Sequence, residues 1–270
     1  MSDRGPDSAG VAIYNEPEDP SILKLSLFAP SGYDWDALKA ELGQALDAEI
    51  DYAVHATHAL FTLPDTDFDL DEWLRKEHPE LRVMSAGHAI EIYKEKGLPE
   101  NFVRQFALQD FSGSHALGHT RMATESAVTT EHSHPFSTGM DLCLVHNGSL
   151  SNHNRLRSFL RKQGVDIQTD NDSEVAAGYL MWRLSEGDTL KEALENALQD
   201  LDGFYTLAVG TRDGFAVLRD PIACKPAVLA ETDDWVAMAS EFRAIAQLDG
   251  VENAHIWEPE PATVYVWGGQ

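Results

Sequence analysis

Asp141-Leu142-Cys143-Leu144-Val145-His146-Asn147-Gly148 carries more of the fold than any other stretch of the 270 residues. Its apolar part is too short for a helix and apolar on both faces, so it reads as a strand covered on both sides. It closes on Asn-Gly, the commonest turn dipeptide. Three more runs read the same way: Ala9-Gly10-Val11-Ala12-Ile13-Tyr14, Phe204-Tyr205-Thr206-Leu207-Ala208-Val209 and Thr263-Val264-Tyr265-Val266-Trp267. Ile22-Leu23-Lys24-Leu25-Ser26-Leu27 alternates with period two, a strand signal. Helical spacing recurs at Trp35, Leu38, Leu42 and Leu46. Thr189-Leu190-Lys191-Glu192 has the capping-box pattern and opens a helix whose stripe is Leu190, Leu194, Leu198 and Leu201. Asp172-Ser173-Glu174 reads as another helix start, ahead of Val175, Ala176, Tyr179 and Leu180.

Strands at both ends, with helices clustered between about 150 and 200, fit a layered α+β fold better than regular β-α alternation. No repeat or low-complexity linker interrupts the chain, so one continuous domain, 1–270, is expected. The stretch from about 48 to 112 is less patterned. It reads as an insertion, with short strands and two modest helices around Glu91 and Phe102.

Hydrophobic residues make up 43% and aromatics 9%, enough for a packed core, so a disordered acidic tail is ruled out. Twenty Lys and Arg against 45 Asp and Glu leave a formal net charge of −25. A field of that sign repels nucleic acid and anionic membranes. Arg155-Leu156-Arg157-Ser158-Phe159-Leu160-Arg161-Lys162 is the densest basic stretch, and it reads as a solvated helix face. No apolar run approaches the roughly 18 residues of a membrane span. The start, Met1-Ser2-Asp3-Arg4-Gly5-Pro6-Asp7, is too polar for a signal peptide. Two cysteines allow at most one disulfide, and a cytoplasmic setting is the default.

The eleven histidines include His132-Ser133-His134, His115 with His119, and His55 with His58. A zinc hydrolase needs a third converging ligand at a telling spacing, and the sequence offers none, so no metal or other cofactor is expected. Cys143 lies inside an apolar strand, where a thiol behaves as a small hydrophobe. Cys224, before Lys225, is also read as a bystander.

Three stretches carry more chemistry: Gly118-His119-Thr120-Arg121-Met122-Ala123-Thr124-Glu125, Val145-His146-Asn147-Gly148 and Asp170-Asn171-Asp172-Ser173-Glu174. Alone, each has a bland reading as a salt bridge, a turn or a helix cap. Together they make a coherent amino-acid site. A guanidinium grips an α-carboxylate, an Asp holds an α-ammonium, and an Asn amide with a Gly N–H supplies two oxyanion donors. A nucleophile is missing from the set.

In order along the chain, Arg4-Gly5-Pro6-Asp7-Ser8-Ala9-Gly10, Gly118-His119-Thr120-Arg121, His134-Pro135, Val145-His146-Asn147-Gly148 and Asp172-Ser173-Glu174 resemble the glutaminase domain of class II glutamine amidotransferases. Asp220-Pro221 with Lys225-Pro226, and Ala239-Ser240-Glu241, continue the likeness. The wording around Arg121 looks closest to the stand-alone branch related to glutamate synthase and the N-methylglutamate synthase small subunit. The resemblance implies an N-terminal-nucleophile hydrolase fold, a four-layer αββα sandwich. It implies glutamine as substrate, Arg121 and Asp172 on its two poles, and Asn147 and Gly148 as the oxyanion hole. Thr124 would seat the substrate, and Arg4 would support the nucleophile's surroundings. Relatives often carry an aromatic where this chain has Met122.

The same resemblance places a cysteine, whose own α-amine is its base, a couple of dozen residues before Arg4. As written the chain lacks that nucleophile, the first strand and the first helix. Ser2 stands on the far side of that gap and does not replace it. The expected function is a glutaminase subunit that feeds ammonia to a separate, flavin-containing, glutamate-synthase-like partner and is inactive in this 270-residue form. The alternatives are a non-catalytic amino-acid-binding or assembly subunit and, more remotely, a zinc hydrolase.

Overall fold

Ser8–Tyr14 (β1) is buried along nearly its whole length, as a run apolar on both faces requires. The computed structural model to which it belongs describes residues 5–15, 19–122 and 127–268. The chain forms two compact units. The first runs through Cys143 and takes back Gly210–Arg212; the second holds Leu144–Val209 and the residues from Asp213 onward.

In the first unit β1 is followed by Ile22–Phe28 (β2), Trp35–Leu46 (α1), Asp51–His55 (β3) and His58–Pro64 (β4). Next come Leu70–Glu77 (α2), Arg82–Gly87 (β5), Ile90–Lys96 (β6), Pro99–Gln105 (α3), His115–Arg121 (β7) and the two-residue strand Phe136–Ser137 (β8). β1 lies between β6 and β7, antiparallel to both, and a second sheet has the order β3-β4-β2-β5. Asp34 caps α1 by accepting from the Ala37 amide. Leu38 and Leu42 of that helix are fully buried in one cluster with Leu25, Leu27, Phe61 and Leu74.

The segment 48–112 is woven into both sheets of this unit: it supplies β3, β4 and β5 beside β2, and β6 beside β1. Its helices are α2 and α3. Phe102 lies in α3 as expected, but Glu91 lies in β6, where a helix was anticipated. The reason is long-range pairing. The Glu91 carboxylate receives Lys24 Nζ at 2.7 Å and Tyr93 OH at 3.0 Å, so a charge that suggests a solvated helix is satisfied inside a sheet.

The second unit begins as the strand Cys143–Leu150 (β9) leaves the first. It continues with His153–Lys162 (α4), Asp172–Ser185 (α5), Leu190–Asp200 (α6), Gly203–Thr211 (β10) and Gly214–Arg219 (β11). Val228–Glu231 (β12), Val236–Ala239 (β13), Phe242–Ile245 (α7), His255–Trp257 (β14) and Val264–Gly268 (β15) complete it. Here the strands run β15-β11-β10-β9, with a separate sheet β13-β12-β14. α4 packs on α5 and α5 on α6. The capping box of α6 is formed: Thr189 accepts from the Glu192 amide and the Glu192 side chain from the Thr189 amide. Ala193, Leu194 and Ala197 form its buried face. Among the described residues no helix is long and apolar enough to cross a membrane.

Candidate functional site

Of the residues singled out from the sequence, Asn147, Gly148 and Asp172 fall in the second unit and Arg121 in the first. Arg4 and Thr124 lie outside the described residues.

Within the second unit, the first turn of α5 is fastened from several sides. The Asn171 side chain caps it by accepting from the Ser173 amide at 2.9 Å. Glu174 accepts from the Gln168 amide at 2.8 Å and the Thr169 amide at 2.6 Å. Two of the four cations of the basic stretch hold the same loop. Arg157 donates to the Asn171 carbonyl at 3.3 Å and Arg161 to the Ile167 carbonyl at 3.0 Å. So half of that solvated-looking helix face ties down the approach to Asp172.

Asp172 then sits at the positive end of α5 with its side chain only 22% exposed. One carboxylate oxygen accepts the Leu150 amide at 2.9 Å. The other lies 3.6 Å from His146 Nδ1 and 3.4 Å from the Ser173 hydroxyl. Burial alone would raise this carboxyl. The neighbouring His146, the Leu150 amide and the charge of His153 outweigh it and hold the group below the ordinary carboxylate value.

The carboxylate therefore lies over the same strand, β9, that carries Asn147 and Gly148. Asn147 is partly exposed, and its side-chain amide makes no hydrogen bond among the described residues. Gly148 has φ +153°, and a Cβ there would lie 2.0 Å from the Phe204 carbonyl oxygen of β10. The close approach of the next strand, more than room for an acyl group, demands glycine at this position.

In the first unit, Arg121 ends β7 with only 7% exposure. Its guanidinium donates to the Ala127 carbonyl at 3.1 Å, and its own carbonyl accepts the Asp7 amide at 3.0 Å. Gly5 lies so close to β7 that a Cβ would meet the Thr120 carbonyl carbon at 2.3 Å. The Gly5-Pro6-Asp7 motif is thus a strap laid on the strand that presents Arg121. Lys94, buried in β6, donates to the carbonyls of Glu131 (3.3 Å), Ser133 (2.9 Å) and Pro135 (3.1 Å). It fixes the segment that contains the cis His134-Pro135 bond.

The histidine pairs disperse into packing. His58 is boxed by Phe28, Tyr93 and Phe106; His115 stacks on Tyr14; the rings of His119 and His134 lie 4.3 Å apart. Cys143 is fully buried, and burial pushes its thiol up to about 12, whereas Cys224 is exposed. Asp220 is also buried and closes a turn by accepting from the Ile222 and Ala223 amides. Lys94, the Leu150 amide and Ser173 had no role in the sequence reading. A lysine inside the alternating run Ile90–Lys96 was the one signal available for the first.

The second unit thus sets a half-buried carboxylate at the start of α5 beside the strand that carries Asn147 and Gly148, and in the first unit β7 ends on a buried arginine. A family model described as a glutamine amidotransferase domain matches residues 119–247. The glutamine amidotransferase-like protein GlxB of Rhizobium meliloti is 52% identical over 272 residues, covering 100% of this chain and 90% of that protein. A putative glutamine amidotransferase of Methanothermobacter thermautotrophicus is 30% identical, covering 99% and 90%. The chain belongs to the glutamine amidotransferase family. Its fold matches the glutamine PRPP amidotransferase of B. subtilis with TM-score 0.57 at 21% identity, covering 96% of this chain and 47% of that one. The architecture is thus the mixed α+β fold of the class II, N-terminal-nucleophile amidotransferases.

Proposed function

We propose that this chain is the glutaminase component of a system in which a separate synthase polypeptide, flavin-containing and similar to glutamate synthase, consumes the ammonia. Arg121 takes the α-carboxylate of glutamine in a two-pronged pair and Asp172 takes the α-ammonium. Thr124 helps seat the side chain, and Arg4 supports the surroundings of the nucleophile. The Asn147 amide and the Gly148 N–H receive the oxyanion as the amide carbon becomes tetrahedral.

In that chemistry a cysteine thiolate forms an S–C bond while the C–N bond breaks. Ammonia leaves with the proton its α-amine had taken from the thiol, and water then hydrolyses the thioester. Cys143, sealed and protonated, does not supply that thiolate; in this reading the 270 residues bind glutamine without turning it over. The observation that carries the reading is Asp172: a half-buried carboxylate held below the ordinary carboxylate value at a helix start, beside the strand that carries Asn147.

Calorimetric titration with L-glutamine tests it. Binding is expected, with 4-aminobutanamide (no carboxylate) and glutaramate (no ammonium) each weaker by roughly 10-fold or more, the loss of one charged hydrogen bond. Equal affinity for all three compounds, or release of ammonia by this chain, overturns the reading.

A further inference from the structure

His146 and Ser173 have no part in the glutamine contacts just proposed, yet both are almost fully buried and both point at Asp172. The His146 side chain is 2% exposed. Its Nδ1 lies 3.0 Å from Ser173 Oγ. Its Nε2 is buried and makes no hydrogen bond among the described residues. The Ser173 hydroxyl in turn donates to Asp172 at 3.4 Å. A hydroxyl has one proton. If it goes to the carboxylate, Oγ receives the histidine as donor, so the imidazole proton sits on Nδ1 and the buried Nε2 carries the lone pair. With that assignment the bonds run in one direction: His146 Nδ1–H to Ser173 Oγ and Ser173 O–H to one Asp172 oxygen, while the Leu150 N–H is given to the other.

We infer that His146 and Ser173 are positioning residues, a buried two-step relay that fixes the rotamer of Asp172 and keeps its outward lone pairs turned to an incoming α-ammonium. This deepens the glutamine reading and rests on it for the identity of that cation, but the relay itself exists without ligand. Its logic is that of the outer ligands of metal sites: a group that must meet a charge is held by a second layer of hydrogen bonds. Among the described residues, charged and polar side chains from three elements face Asp172. His146 comes from β9, Ser173 from the same turn, His153 from α4, and the α5 dipole lies behind it. Removing the relay leaves the Leu150 amide as the fixed donor and lets the side chain turn.

Two measurements on the intact, ligand-free chain test this. Long-range proton–nitrogen NMR of His146 is expected to show Nδ1 protonated and Nε2 bare. Carboxyl carbon titration is expected to show Asp172 ionising at higher pH in Ser173→Ala and His146→Leu than in the native chain, by about one unit. Ser173→Thr, which restores the hydroxyl, and His146→Asn, which keeps a donor near the Nδ1 position, are expected to return toward the native curve. Glutamine affinity at pH 7 should fall about 3- to 10-fold in the first two variants, with the acid limb of binding moved to higher pH. An Nε2-protonated imidazole, or an Asp172 titration indifferent to Ser173→Ala, overturns the relay. If the NMR results hold and glutamine does not bind, the relay stands and the substrate assignment falls. If glutamine binds and Asp172 ignores Ser173, the reverse is true.

Discussion

Gly148 shows how one residue can be required for a reason other than the chemistry it serves. Its φ and the Phe204 carbonyl leave no room for a methyl group, so Gly148→Ala is expected to cost about 3 kcal/mol through strain and overpacking. A urea midpoint unchanged from the native chain contradicts that. Cys143 is the opposite case, a reactive side chain disarmed by its place. With its thiol raised to about 12, it stays protonated at pH 8. Iodoacetamide at that pH should add one label to the folded chain, at the exposed Cys224, and two after unfolding. Two labels on the folded protein exclude this. Asp172 was legible in the sequence as an acid at a helix start. The donors that set its state were not, because Leu150 and His146 belong to a strand remote in sequence and nothing in either residue advertises the contact.

At the scale of elements, what could be read was what is encoded locally. The alternation of β2, the spacing of α1 and the capping box of α6 all lie within one turn or one strand. Thr189→Ala is expected to cost about 1 kcal/mol by removing that cap, measured as a shift of the urea midpoint, and no shift would deny the box any role. β6 was misread because Ile-Glu-Ile-Tyr-Lys-Glu-Lys hides a period of two among charges. Those charges find partners far along the chain: Lys24 for Glu91, backbone carbonyls for Lys94, and Thr57 and Thr130 for Glu95. The aromatic box around His58 has a pH signature. Burial, then the charges of Lys94 and His55, depress this imidazole to about 3, against an unfolded value of about 6.5. Between those values the unfolded chain binds the extra proton. His58 therefore stabilises the fold fully above about pH 6.5, and that contribution shrinks as pH falls toward 3, by up to about 1.4 kcal/mol per unit. Unfolding of His58→Leu should depend less on pH between 7 and 5 than unfolding of the native chain. Equal slopes rule out a buried neutral imidazole.

Over the whole molecule, a net charge of −25 makes self-repulsion a global term that no local motif reveals. The screening length shrinks from about 30 Å at 0.01 M salt to about 3 Å at 1 M, so Tm should rise across that range. A falling Tm implies that attractive exposed ion pairs, such as Arg75–Asp71, dominate instead. Composition fixed this charge at once, and the ordered motifs pointed to the family. The division into two units was not visible. Its boundary cuts through β9 and β10, strands whose sequences run without a break in pattern. Asn147, Gly148 and Asp172 belong to one unit and Arg121 to the other, so the proposed roles are best tested through the ligand they are meant to share.

The most direct test is the ratio of affinities for L-glutamine and glutaramate, measured by calorimetry in the native chain and in Asp172→Asn. Glutaramate has the carboxylate and the amide of glutamine but no ammonium. The native chain should prefer glutamine by roughly 10- to 100-fold, the worth of a partly buried charged hydrogen bond. Asp172→Asn should lose that preference while still binding glutaramate. A preference that survives the substitution means that Asp172 does not hold the ammonium of the substrate, and the account fails at its centre.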